Sequence, residues 1–302
     1  MRYIYQFSIL AGLLLPIRYT YSQKINDYLD AYQGPNREGY LQPMADLVIS
    51  GFNTGLQPSV SIDKRFYVRL NLTALGVMPV TSQKTFTATT EGNFTLQQSA
   101  IAPTIVGENR PVSVQGTSGL TYVFSGGYGL KALAWAVPQL SIGGFYGTEI
   151  SVRLLPYDFK GDFGKLNIVG VGVRHDVGQY FLKNSPLVLN VGYAYNKSDI
   201  GNYVALQSHY GYVQAGIMGK TAGAFVWAGY LAGTFDVSYT YTENNTPQPI
   251  TANLKVKQPF LGGIGAHVQL GFFSLGAGVG GPAPLTGYGT IGFRFQSKAK
   301  PS

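Results

Sequence analysis

The three histidines, His175, His209 and His267, are the first residues to test for chemistry. No two of them have the spacing of metal ligands, and no cluster of carboxylates accompanies any of them. Ser208 precedes His209, a pair that membrane lipases and acyltransferases would use as nucleophile and base. In a strand, however, consecutive side chains point to opposite faces, so these two cannot meet. His267 falls on a polar parity with no acid beside it. The chain has no cysteine, which removes thiol catalysis, iron–sulfur ligation, Cys-based zinc sites and disulfides. The expectation is a protein that is not an enzyme and that carries no catalytic residue, cofactor or metal.

Charged side chains on otherwise apolar strands are more informative. Arg69, Arg153, Arg174 and Arg294 each alternate with an apolar face. Facing lipid, an Arg costs about 2–4 kcal/mol at the bilayer midplane, so all four are expected to point inward or sit at a rim. Glu149 and Asp236 are their expected partners. In the run VGVGVRHDVGQ (169–179), Val169, Val171 and Val173 share a face, with Arg174 on the other and His175 and Asp176 after it. Such a cluster can orient a solute at a barrel mouth, or close a strand end through an Arg–Asp pair. Its glycines are not a phosphate loop, because no helix and no GK[ST] follow. The candidate lumen-lining or rim residues are therefore Arg69, Arg153, Arg174, His175, Asp176, Asp236, His267 and Arg294. A row of inward Arg would favour anions; a neutralised network would instead fill the barrel.

The elements that must hold these residues are strands. Phe66, Val68, Leu70, Leu72 and Ala74 alternate with Tyr67, Arg69, Asn71 and Thr73, and Leu187 to Tyr195 alternates with Val188 to Asn196. From Phe225 to Tyr241 the large residues Phe225, Trp227, Leu231, Phe235, Val237, Tyr239 and Tyr241 share one parity. Ala224, Ala228, Ala232, Thr234, Asp236, Ser238 and Thr240 hold the other. Here the large set is expected to face lipid and the small set the lumen. Phe260 to Phe272 and Leu285 to Phe295 repeat the pattern. Tyr193, Tyr195, Trp227, Tyr239 and Tyr241 suit an interfacial aromatic girdle. Residues 91–118 read as a long loop that covers the mouth or folds inward.

Composition supports a membrane barrel. Charged residues are 12% of the chain, against about 25% in soluble domains. Aromatics are 14%, with 22 Tyr and 40 Gly, yet no apolar run reaches the roughly 18 residues of a spanning helix. Residues 1–22 read as a signal peptide: Arg2, an apolar run from Ile4 to Leu15, and small residues at Thr20 and Ser22 before Gln23. Its loss takes the formal charge from +8 to +6, without the clustering that nucleic acid requires. Residues 23–60 read as an N-terminal helical or plug segment, with helical spacing at Ile25, Tyr28, Leu29 and Tyr32 and again at Leu41, Met44, Ala45 and Val48, followed by the turn-rich GFNTGLQPS. Residues 61–297 are the expected barrel, an all-β antiparallel transmembrane fold of about 10–14 strands, and 298–302 a tail.

Several of these stretches carry a resemblance. The tracts YLDAYQGPNREGYLQP, GFNTGL, GTEISVRLLPYD, GVGVRHDVGQYF, VQLGFFSLGAGV and GYGTIGFRF resemble a Bacteroidota family of outer-membrane barrel proteins whose function is not established. The layout also looks like that of the long-chain fatty-acid (FadL-type) outer-membrane transporters, which implies an N-terminal plug ahead of the barrel. Two functions follow as expectations. One is passage or binding of a small solute, hydrophobic solutes included. The other is a non-conducting accessory barrel within a larger outer-membrane complex. The expected surroundings are outer-membrane lipid and other outer-membrane or periplasmic proteins.

Overall fold

The computed structural model describes residues 32–297 apart from 93, 95, 118, 159–164, 202 and 244–245. The signal peptide, the first helical stretch before Tyr32 and the tail lie outside the described residues, as do the side chains of Tyr239 and Tyr241. Among the described residues one helix, α1 (Gly34–Phe52), precedes the strands. These are β1 (Tyr67–Met78), β2 (Thr85–Thr89), β3 (Ser99–Pro103), β4 (Val112–Gln115), β5 (Thr121–Phe124), β6 (Leu133–Phe145), β7 (Thr148–Asp158) and β8 (Lys165–Asp176). They continue with β9 (Leu187–Ile200), β10 (Val204–Met218), β11 (Ala222–Glu243), β12 (Thr246–Lys255), β13 (Phe260–Leu270), β14 (Phe273–Gly281) and β15 (Leu285–Gln296). Among the described residues no helix is long and apolar enough to cross a membrane.

Ten antiparallel strands close on themselves. Round the barrel the order is β1, β6, β7, β8, β9, β10, β11, β13, β14, β15, and β15 returns to β1 through twelve residue pairs from Tyr67↔Gln296 to Met78↔Leu285. β12 pairs with the distal half of β11, along the edge that β13 occupies lower down. Closure leaves no unpaired edge in the ten-strand belt, which a lipid-facing sheet requires, and that sheet's one edge strand, β12, lies on the distal extension of β11. The turns at one end are short. Tyr146 and Gly147 both take positive φ, 48° and 72°, as a two-residue turn with the twist of its flanking strands demands. Gly271 (φ 62°) closes β13 to β14 at the same end.

The outer wall is apolar. Leu70, Leu72, Leu140, Ile142, Ile150, Leu154, Val169, Val171, Val173, Val213, Val226, Ile264, Val279, Ile291 and Phe293 are all exposed on it. The parities read from β1, β9, β13 and β15 match this outer and inner division. β11 reverses the expectation. Phe225, Trp227, Leu231, Phe235 and Val237 are buried inside, while Ala224, Val226, Ala228 and Tyr230 face out. The reason is the occupant of the barrel: α1 brings Tyr40, Leu41, Ala45, Ile49 and Phe52 into one buried cluster with those residues. The large side chains of β11 are core, and Trp227 is no girdle residue. Glycines on the paired strands make room for large inward rings: a Cβ on Gly265, opposite Phe225, would stand 2.7 Å from that ring, and one on Gly278, opposite Tyr288 of β15, 2.5 Å from the tyrosine.

The N-terminal segment runs through the barrel from one rim to the other. Gly34 and Pro35 start α1 at the end with the long connection, a position where proline's missing N–H costs nothing. Residues 91–118, expected as a long loop, instead fall within two hairpins, β2–β3 and β4–β5, that begin at Thr85 and end at Phe124. They pack over the start of α1: Phe86 meets Tyr32 edge-on at 5.8 Å, and Phe124 stacks on Tyr32 at 6.5 Å. Lower down, Gly51 faces Trp135 and Val77, and a Cβ there would be 2.1 Å from the indole. Residues 53–63 then continue inside the wall to Asp63, whose carboxylate meets Arg294 at 3.3 Å close to the short-turn rim. β1 starts there.

Candidate functional site: the barrel lumen

The lumen has two halves of different chemistry. The half around α1 is the aromatic core already described. The other half, around residues 52–63, is polar, and the wall holds that segment by side-chain hydrogen bonds. Arg153 donates through Nη1 to the carbonyls of Phe52 (3.1 Å) and Thr54 (3.0 Å), and through Nε to Gln139 Oε1 (2.8 Å). It thereby meets the carbonyls left over where α1 ends, at the negative end of the helix dipole. Gln139 Nε2 donates to Leu56 O (3.3 Å), Gln214 Nε2 to Ser59 O (3.3 Å) and Asn190 Nδ2 to Val60 O (2.6 Å). Asn53 donates to Ser208 Oγ (2.9 Å) and accepts from Asn196 Nδ2 (2.8 Å). Gly55 holds φ +64° against Thr73 and Tyr288, a turn a larger residue would strain.

An ion cluster lies deeper. Glu149 on β7 stands directly across from Arg174 on β8. Its Oε1 accepts from Arg174 Nε at 2.7 Å, and its Oε2 lies 3.4 Å from Arg69 Nη1 and accepts from Tyr67 OH at 2.5 Å. Ser59 ties the interior segment to this cluster: its carbonyl accepts from Arg174, and its Oγ accepts from Arg69 at 2.8 Å. All three charged side chains are at most 3% exposed, so each needs its partners to offset desolvation. A void of about 10 Å³ remains beside Pro58, Ser59, Arg69, Asn71 and His267. That is room for about one water, not for a path.

The candidates read from the sequence separate accordingly. Arg69, Arg153, Arg174 and His267 are buried inside, and Arg294 is inward and half-buried near the rim. His175 and Asp176 lie at the short-turn rim. His175 contacts Thr148 Oγ1 (2.9 Å) and Tyr180 OH (3.0 Å). Asp176 accepts from Gln179 N (3.2 Å), capping a short turn, and Arg174 pairs with Glu149 rather than with it. Asp236 is a correction. It takes the outward parity of β11, accepts from Asn253 Nδ2 and partners none of the four arginines. Its strand is turned over because the neighbouring Phe235 and Val237 are core. Sequence reasoning did not single out Tyr67, Asn190, Gln214 or Ser59; the wall amides were visible as polar positions on strand parities, but Ser59 gave no signal.

A model for a family of unknown function (DUF6588) matches residues 1–280. The chain belongs to that family. No curated protein matches it in sequence. Among solved structures, it is similar to the β domain of the Bordetella autotransporter BrkA, at 11% identity and a TM-score of 0.28 over 77% of this chain and 100% of that one. It is also similar to the Ralstonia pickettii toluene transporter TbuX, at 7% identity and 0.24, covering 85% and 99%. The translocator domain of the autotransporter NalP from Neisseria meningitidis gives 11% and 0.25, covering 83% and 94%. At these scores the likenesses carry no argument.

Proposed function

We propose that this protein is an integral barrel of a bacterial outer membrane, closed at rest by its own N-terminal segment. The apolar outer wall supports the membrane setting, since a closed barrel with an apolar outer face satisfies all its backbone within the sheet. The observation that carries the closed state is the set of wall donors, Arg153, Gln139, Arg174, Gln214 and Asn190, gripping backbone carbonyls from Phe52 to Val60. The segment acts as a plug, in a barrel that resembles fatty-acid transporters in layout and a Bacteroidota family in its motifs. Of the two functions expected from the sequence, the filled lumen favours a barrel that conducts nothing at rest. Passage of a solute requires the plug to withdraw. Purified protein reconstituted in planar bilayers tests this: the intact chain should give no steady conductance. A stable open channel from the intact chain would overturn the reading.

A further inference from the structure

The wall and the plug divide hydrogen-bonding roles unequally. Among the described residues, the bonds between wall side chains and plug backbone from residue 52 to 60 run one way, with wall N–H donating and plug carbonyl accepting. The wall also holds buried donors without a partner, Arg69 Nε, Arg153 Nη2 and Asn71 Nδ2, beside buried amide oxygens without one on Asn71, Asn190 and Asn196. Charge is unequal too. Among the described inward-facing residues of the ten barrel strands, four guanidiniums (Arg69, Arg153, Arg174, Arg294) face two carboxylates, Glu149 and, at the short-turn rim, Asp176. The four sit on β1, β7, β8 and β15, a contiguous sector with β6 between them. Beyond the wall's own Glu149, which pairs with Arg69 and Arg174, the plug supplies two further counterweights: the C-terminal carbonyls of α1 against Arg153, and Asp63 against Arg294.

Resting on the closed-barrel reading above, we propose that withdrawal of the plug exposes an anion-selective conduit, built for small acceptor-rich anions such as carboxylates and phosphate. A solute entering the vacated lumen replaces carbonyl oxygens with its own. Only an anion also replaces the lost balance of charge, since guanidiniums in a low-dielectric lumen are costly without one. Side chains of one sign lining a pore select the opposite ion.

The test keeps the full chain and leaves the wall untouched. Gly51→Leu with Gly55→Val drives the plug against Trp135 and Tyr288, and urea added to the bilayer chamber displaces it in the unsubstituted chain. Reversal potentials in a potassium chloride gradient then report selectivity, and inorganic phosphate is tested as a blocker of chloride current. The expected result is a chloride-to-potassium permeability ratio of roughly 3 or more, with phosphate reducing the current. Replacing Arg69 and Arg294 by Gln in the opened variant should bring the ratio towards 1. An opened channel that is unselective or prefers potassium overturns the anion conduit and leaves the plug reading standing. No conductance under either treatment overturns the conduit and leaves a barrel that its N-terminal segment fills permanently, whereas steady conductance from the untreated, unsubstituted chain overturns the plug reading itself.

Discussion

Arg153 Nη1 lies 3.1 Å from the carbonyl oxygen of Phe52, the last residue of α1, and joins the barrel wall to the end of the plug helix. The same group reaches Thr54 O, so one guanidinium holds the point where helix gives way to extended chain. Among the described residues no carboxylate contacts it; its counter-charge is the helix terminus. Arg153→Ala leaves buried carbonyls unpaired and should cost about 2–4 kcal/mol. Arg153→Lys should recover only part of this, because one ammonium cannot reproduce the planar fork. Thermal unfolding in detergent, followed by tryptophan fluorescence, checks both variants.

Glu149 pairs with two guanidiniums, one through each carboxylate oxygen. Glu149→Gln leaves Arg69 and Arg174 buried together without a counter-ion and should lose about 3–5 kcal/mol. Adding Arg174→Gln should cost less in that background than in the unsubstituted chain, because one of the two stranded charges is then gone. Urea midpoints across the double-mutant cycle measure the coupling. Additive effects would show that the cluster is not a unit.

The apolar belt predicts a dependence on depth. Val171 lies midway along β8 and faces out, whereas the exposed Asn167 lies near its end. Val171→Arg should cost about 2–4 kcal/mol of folding into lipid vesicles, and Asn167→Arg at most about 1 kcal/mol. Equal effects in a vesicle folding assay would place the belt elsewhere.

Asp46 sits at the mouth on α1, accepting from Lys257 N (3.0 Å) and Gln42 Nε2 (3.1 Å). Burial raises its carboxyl pKa above the ordinary value, and the hydrogen bonds offset this only in part. The folded state therefore holds this proton more tightly than the unfolded one. The group's contribution to stability falls as pH rises from the ordinary carboxylate range through the raised pKa, and the ionised form carries the penalty above it. Asp46→Asn keeps an acceptor without the charge. Its Tm relative to the unsubstituted chain should improve as pH rises from about 4 to 7. A constant difference across that range would contradict this.

Much of the barrel was legible because lipid imposes one rule on every strand. β1, β9, β13 and β15 each present a largely apolar outward parity, and the four arginines could be turned inward on cost alone. β11 was misread because its outward side carries small residues and its inward side large ones, which is the pattern of a filled barrel and not of a wetted one. Strand parity tells two faces apart, but it does not say which faces lipid when both are apolar. Glu149 and Arg174 become partners through the β7–β8 register. Ser59 could not be found this way: its role depends on the chain re-entering its own barrel, and no local pattern records that.

The most direct test of the account is a disulfide between plug and wall. The chain has no cysteine of its own, and the side chains of Asn53 and Ser208 meet at 2.9 Å inside the lumen. Protein carrying Asn53→Cys with Ser208→Cys, oxidised in native membranes, should form an intramolecular cross-link seen as a mobility shift on non-reducing gels. Asn53→Cys paired with Gln207→Cys, on the outward face, should not. A plug cysteine that stays free and reacts with a hydrophilic maleimide, with neither pair cross-linking, would contradict a lumen closed by residues 34–63.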